Sequence, residues 1–339
     1  MENNTTLANY TGDEWTEDNT PSDSKDVWIY ALEITFGVVG TVGNSLVCLI
    51  IIRAKFLHNM TNYLILSLAV ADFAASLSLI FNVFFVDDGI TSAPKRAYRA
   101  GGELYCRLYG NLFFFWVCVT ASVFNLIVVT LERFFAIVFP LHYNHYFTNR
   151  RIVILVVLTW VLAVLQEFFA LLINSYDAEK EVCAYGFPNI ATQVAIGLFI
   201  FLTSYFLPLV VMIWAYYKIM RNLQQSARTL LNQQTEDPAY ALLRARKKVV
   251  QVLFTVVMAF LVLWTPNQVV YLFENLTFPI LETDHILYAL FRLMAFSNSV
   301  VNPFIYGFKY KQFRKGFRVV VCGKCMVNNV GGSHELSTT

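Results

Sequence analysis

Only 14% of the 339 residues are charged, whereas 57% are apolar and the mean hydropathy is positive. A water-soluble domain carries about a quarter charged residues, so a single globule in water is excluded. The apolar surplus comes in long blocks and not as the stripe of a surface helix, which leaves the membrane as the solvent that suits it.

The net charge of +2 says little, but its placement is uneven. Residues 1–27 hold seven acids against Lys25 alone, and lack the basic start and apolar run of a cleavable signal. The first apolar block is therefore expected to act as its own membrane signal, with the polar tail outside. Asn3, Asn4 and Asn9 in that tail stand in glycosylation acceptor patterns. Asn275 also heads such a pattern but is expected too close to the membrane, and Asn59 on the cytoplasmic side.

Seven apolar blocks follow, each near the roughly 20 residues that cross a bilayer core. They run over about Val27–Ile52, Tyr63–Val86, Leu104–Phe139, Ile152–Asn174, Ile190–Met220, Lys247–Asn275 and His285–Phe308. With the N-terminus outside, 18 basic residues fall on the inner side and six on the outer, with Arg292 inside the seventh block. Positive charge collects on the cytoplasmic side, so the chain is expected to run N-out and C-in. The expected fold is all-α: an extracellular tail to residue 26, a seven-transmembrane helix bundle over 27–308, an amphipathic helix over 309–321, and a cytoplasmic tail. A polar inner loop is expected over 221–243.

A carboxylate in mid-membrane costs about 3 kcal/mol or more and needs partners. Asp72 lies halfway along the second block; Asn44, Ser122, Asn298, Ser299 and Asn302 are expected at compatible depths. Such oxygens suit a small hard cation, with sodium the candidate, or a water cluster. The alternative is a polar network that only joins helices.

Asn44, the string Leu68-Ala69-Val70-Ala71-Asp72, Glu132-Arg133-Phe134, Trp160, Pro208, the set Phe260, Trp264 and Pro266, and Asn302-Pro303-Phe304-Ile305-Tyr306 fall in order along residues 28–320. This ordered set resembles the rhodopsin-like (class A) G-protein-coupled receptors. The resemblance implies a plasma-membrane receptor that takes an extracellular agonist and engages heterotrimeric G proteins, and arrestin after them. No enzyme and no nucleic-acid partner are implied.

The resemblance assigns Arg133 to the switch that meets the G protein, with Glu132 restraining it. Many relatives place an acid twenty residues before the span-six proline to pair with that arginine. Here Arg246 stands there, so a weaker resting latch and basal signalling are expected. Phe260 and Trp264 beside Pro266 would amplify ligand displacement at a helix kink. Tyr216 and Tyr306, the latter after Pro303, would turn toward Arg133 on activation. Beyond span seven, Phe308, Phe313, Phe317 and Val320 alternate with basic residues, as in a helix lying on membrane lipid. Cys322 and Cys325 are placed for palmitoylation; a zinc site is the rival, but no second ligand pair is evident.

Cys106 and Cys183 both fall on the oxidising side and are expected to form a disulfide. In relatives this first cysteine usually stands 25 residues before the arginine, but Cys106 stands 27 before Arg133, so two extra residues lie above Ser122. Amine receptors carry an aspartate eighteen residues before the arginine, where this chain has Phe115; opsins need a span-seven lysine, where it has Phe296. The remaining outer cavity, Glu33, Phe115, Trp116, Gln166, Glu167, Asn267, Gln268, Tyr271, Glu274 and Arg292, suits an amide-rich ligand, and a neuropeptide-like agonist is favoured. A small polar or lipid agonist, or no dedicated ligand, are the alternatives. A transporter should show an internal repeat or a polar stripe, and neither is visible.

Overall fold

The computed structural model describes residues 27–85, 99–110, 112–177, 182–232, 238–278 and 285–321. Asn3, Asn4, Asn9, Cys322 and Cys325 lie outside the described residues. Helix α1 (Val27–Arg53) packs along α2 (Met60–Phe85). A short α3 (Arg99–Tyr105) leads through a π-helical turn (Cys106–Gly110) into α4 (Phe113–Val138), the third crossing. Inner-side α5 (Pro140–Tyr146) precedes α6 (Asn149–Ile173). The fifth crossing joins α7 (Ile190–Phe201) and α8 (Leu207–Asn232) through a second π-helical turn (Leu202–Phe206). Helices α9 (Pro238–Asn275), α10 (His285–Lys309) and α11 (Lys311–Val321) complete the bundle.

Six of these runs are long and apolar enough to cross a membrane, judged by length and composition among the described residues. The seventh crossing, α10, is diluted by Arg292, Asn298, Ser299, Asn302 and Pro303, the groups it brings to the core. The polar groups of the crossings gather inside the bundle, and its outer surface is apolar. On α6, Val153, Ile154, Val157, Leu158, Val161, Leu162, Leu165 and Leu172 all stand exposed, whereas Asp72, Asn44, Asn302 and Glu132 are buried. Water would penalise so large an apolar surface; lipid does not.

Without a hydrophobic drive between helices, small residues admit close backbone contact. On α1, a Cβ on Gly37 would sit 2.5 Å from Ile80 Cγ1, one on Gly40 2.2 Å from Ser76 Oγ, and one on Gly43 3.1 Å from Pro303 Cγ. One glycine stripe thus sets the distance of α1 from both α2 and α10.

Two features depart from the sequence expectation. The polar stretch 221–243 is mostly helix, because α8 runs to Asn232 and α9 starts at Pro238. Gln, Arg, Leu and Ala are strong helix formers, and proline at the first helical position forfeits no hydrogen bond. Beyond the helices, the outer loop after α6 forms a hairpin of β1 (Asn174–Asp177) and β2 (Val182–Tyr185), with Tyr176 opposite Cys183.

The insertion above Ser122 is absorbed locally. The π-helical turn accommodates one residue more than an α-turn, and Leu112 then takes a left-handed backbone, φ 54°, before α4 restarts. Cys106 still reaches Cys183, with a Cα–Cα distance of 5.3 Å and a bonded S–S pair. Glu103 braces the same corner. It accepts from the Tyr176 backbone N–H at 2.8 Å and from Arg107 Nε at 2.7 Å.

The glycine stripe yields a direct test. Gly40→Val should overpack the α1–α2 seam and destabilise the bundle by about 1–3 kcal/mol. A lower unfolding temperature in detergent than that of Gly40→Ala is the expected result, and equal temperatures would refute it.

Candidate functional site: an outer cavity and an inner arginine clasp

At the outer ends of α1 and α10, Arg292 Nη2 donates to Glu33 Oε1 at 2.9 Å, and Glu33 is buried. The guanidinium carbon lies 5.8 Å above the Phe296 ring. From there rings touch in sequence. Phe296 meets Phe115 at 4.8 Å, Phe115 meets Trp116 at 5.2 Å, Trp116 meets Trp264 at 6.3 Å, and Trp264 meets Phe260 at 6.2 Å. These are edge-on or tilted contacts of the kind aromatic quadrupoles favour. Phe115 is only 2% exposed, so it packs into this run and does not present an open face. Trp116 is half-buried and Trp264 buried, with the indole N–H of Trp264 lacking a protein acceptor.

Gln268 is buried with its Oε1 unpartnered, and Asn267 and Tyr271 are half-buried beside it on α9. Gln166 bonds within the bundle. Its amide donates to Ser204 Oγ and, at 3.3 Å, to Glu167 Oε1. It also edges an apolar cleft of about 390 Å³ between α4, α6 and the fifth crossing, with Phe124, Leu162, Phe199 and Pro208 among its walls. Glu274 lies near Tyr185 of the hairpin and Tyr288 of α10.

Midway down, Asp72 is answered by two helices. Ser122 Oγ donates to Oδ1 at 2.8 Å and Asn302 Nδ2 to Oδ2 at 2.7 Å. Ser299, one turn before Asn302 on α10, is buried nearby. Asn44 does not touch the carboxylate. Its amide donates to the Ser299 carbonyl at 2.8 Å and the Gly40 carbonyl at 3.0 Å, so it ties α1 to α10 from one step away. Asn298 is buried on α10 beside them.

Near the inner end of α4, Arg133 Nε donates to Glu132 Oε2 at 2.5 Å, and Nη2 bonds Oε1 as well. Two residues that sequence reasoning missed complete this clasp. Tyr143 of α5 donates to Glu132 Oε1 at 2.5 Å, and Thr61 Oγ1 of α2 donates to Oε2 at 3.2 Å. Burial, and then the adjoining Glu132 carboxylate, push the Tyr143 phenol well above its ordinary range, so it remains a donor at any physiological pH. Nothing in the local spacing of Thr61 or Tyr143 announces a contact made by chain reversal.

Arg133 is held by this clasp and not by the inner tyrosines. Tyr216 packs on Phe254 and Tyr306 on Phe313, and neither hydroxyl bonds Arg133 among the described residues. Arg246 is exposed on α9. Beside Pro266, Tyr205 and Thr265 share a 2.6 Å hydrogen bond from span five to span six, a further link absent from the sequence reading. Pro303 sits inside α10, below Asn302.

An aromatic run, a polar mid-plane and a clasped arginine thus share one helical bundle. Residues 43–306 match the 7 transmembrane receptor (rhodopsin family) description, and the chain belongs to that family. The chain is 27% identical to tachykinin-like peptides receptor 86C of Drosophila melanogaster over 90% of this chain and 60% of that protein. It is 31% identical to galanin receptor type 2 of Rattus norvegicus, over 84% and 73% respectively. Trace amine-associated receptor 4 of Mus musculus is 29% identical over 87% and 85%. The chain therefore spans under two thirds of the fly protein's length. These similarities are to receptors and not to enzymes.

The clasp generates a prediction. Tyr143→Phe removes one charge-assisted hydrogen bond to Glu132, worth about 1.5–3 kcal/mol, and should raise agonist-free nucleotide exchange severalfold at matched surface display. Exchange no higher than wild type would show that Tyr143 does not restrain Arg133.

Proposed function

We propose that this protein is a plasma-membrane receptor, N-terminus outside and C-terminus inside, that takes an extracellular peptide and activates heterotrimeric G proteins. The observation that carries this is α4 itself. One rigid helix holds Phe115 and Trp116 at the ligand side, Ser122 on Asp72, and Glu132–Arg133 at the inner end. A shift of its packing is felt at both faces, which is the requirement for two sites to be coupled.

Several observations favour a peptide. Two of the relatives are named as receptors for tachykinin-like peptides and galanin, and Asn267 and Gln268 offer amide groups that match peptide backbone. The trace amine-associated relative supports a small amine instead, but the span-three position expected to hold an amine's carboxylate is the packed Phe115. The tails fit the same scheme, with glycans on Asn3, Asn4 or Asn9 outside and acyl chains on Cys322 or Cys325 inside. In α11, Phe313 and Gly316 pack inward while Lys311, Arg314, Lys315 and Arg318 are exposed, a distribution suited to anionic lipid. Arrestin would meet the same inner face.

Sodium is the ion we propose at Asp72. The available atoms fit it: one carboxylate, the hydroxyls of Ser122 and Ser299, and the Asn44 Oδ1, which is buried without a partner. Hard oxygen donors of this kind suit a small cation. Bound there, sodium would favour the resting packing. Raising sodium should lower agonist affinity, and Asp72→Asn should remove that dependence; a sodium effect that persists in the variant would place the ion elsewhere.

The receptor reading is tested by co-expressing the full chain with a panel of G proteins, screening amidated peptide pools, and reading nucleotide exchange. Arg133→Ala should abolish the response while surface display persists. Basal exchange above that of mock-transfected cells is expected, because Arg246 cannot serve as the span-six partner of Arg133. An unchanged response in Arg133→Ala would remove the arginine from the mechanism.

A further inference from the structure

Two carboxylates in the same half of the bundle as the hairpin have no ion-pair partner among the described residues. Glu33 is paired with Arg292, and Glu103 with Arg107, so both of these arginines are already committed. Glu167 is different. It is 7% exposed on α6, and Oε1 receives only the neutral donors Thr120 Oγ1 at 2.7 Å and Gln166 Nε2 at 3.3 Å. Among the described residues its second oxygen takes no hydrogen bond and no ion pair reaches it. Glu274, on α9, likewise has no cationic partner among the described residues.

The two acids are linked by aromatic groups. Tyr271 lies within electrostatic reach of both Glu167 and Tyr185, and Tyr185 within reach of Glu274 and Tyr288. Three residues before Tyr271, the buried Gln268 keeps an unpartnered carbonyl oxygen. Acceptors and aromatic faces dominate this cluster, and they suit a cation: carboxylates by charge, phenol rings by cation–π attraction, and an amide oxygen by hydrogen bonding.

We infer that Glu167 is the deep anchor for a positively charged group of the agonist, with Glu274 attracting that group at the rim. Resting on the peptide-receptor reading, this assigns the ligand class as a basic peptide, whose arginine, lysine or terminal ammonium descends past Tyr271. The cation occupies a place distinct from the span-three position of amine receptors, since it is read by α6 and α4 through Glu167 and Thr120. Binding would draw α4 toward α6, at the depth where Trp116 touches Trp264.

The test uses the full-length receptor in cells, with surface display measured for each variant. Amidated synthetic peptide pools are applied in pairs that differ only in arginine against citrulline, which keeps the shape and removes the charge. A series of arylalkylamines serves as a third arm. Arginine pools should be more potent than citrulline pools by about thirtyfold or more. Glu167→Gln should erase that difference, Glu167→Asp should retain part of it, and Glu274→Gln should weaken it less. Equal potency of the two pools, or a preference that survives Glu167→Gln, would overturn the inference and leave the peptide reading intact. Activation by arylalkylamines alone, lost in Glu167→Gln, would uphold the cation anchor and remove the peptide. Silence in all three arms, with Arg133-dependent basal exchange present, would overturn both.

Discussion

Asp72 accepts one hydrogen bond on each carboxylate oxygen, from Ser122 on α4 and from Asn302 on α10. Lipid offers no substitute for these donors, so the three helices can separate only by leaving a carboxylate unanswered in a medium of low dielectric. That constraint sets the depth register of α2, α4 and α10. Asn44 extends the register to α1 by bonding the Ser299 carbonyl, and the glycines of α1 allow the approach that this bond requires. The aromatic run above and the arginine clasp below are aligned because the helices that carry them are pinned at the middle.

The two ends of the bundle solve different problems. At one end, a disulfide, a hairpin and the Glu103–Arg107 brace fix the third crossing, and these are rigid devices. At the other, Glu132 gathers donors from α2, α4 and α5, and all of these are hydrogen bonds that break and reform on the timescale of a conformational change. A receptor of this plan has a fixed frame for its ligand and a releasable one for its partner.

Much of this was legible in the sequence because the membrane imposes long, simple rules. Seven apolar blocks became seven crossings, and an acid in mid-block had to find hydroxyl and amide partners at its own depth. Cys106 and Cys183 were identified as a pair because both lie on the oxidising side. What escaped were contacts made by chain reversal. Tyr143 and Thr61 reach Glu132 from loop ends, and Asn44 bonds a backbone carbonyl instead of the acid it was grouped with. Gln166, grouped with the ligand cavity, spends its amide on Glu167 and Ser204, since helix rotation about its axis is set by neighbours and not by composition. The two extra residues above Ser122 were countable, but their absorption by a π-helical turn and a left-handed Leu112 depended on backbone geometry that spacing does not encode.

The extension of α8 to Asn232 and α9 from Pro238 carries these helices well past the length a bilayer needs. Pro266 lies near the far end of the longer one, so the segment below it acts as a lever with a short input arm and a long output arm. A rotation of a few degrees at that pivot moves the tip by several times the displacement felt at Trp264. The long free ends of α8 and α9 would thus magnify any small rotation at the proline, as a pointer magnifies the turn of its spindle.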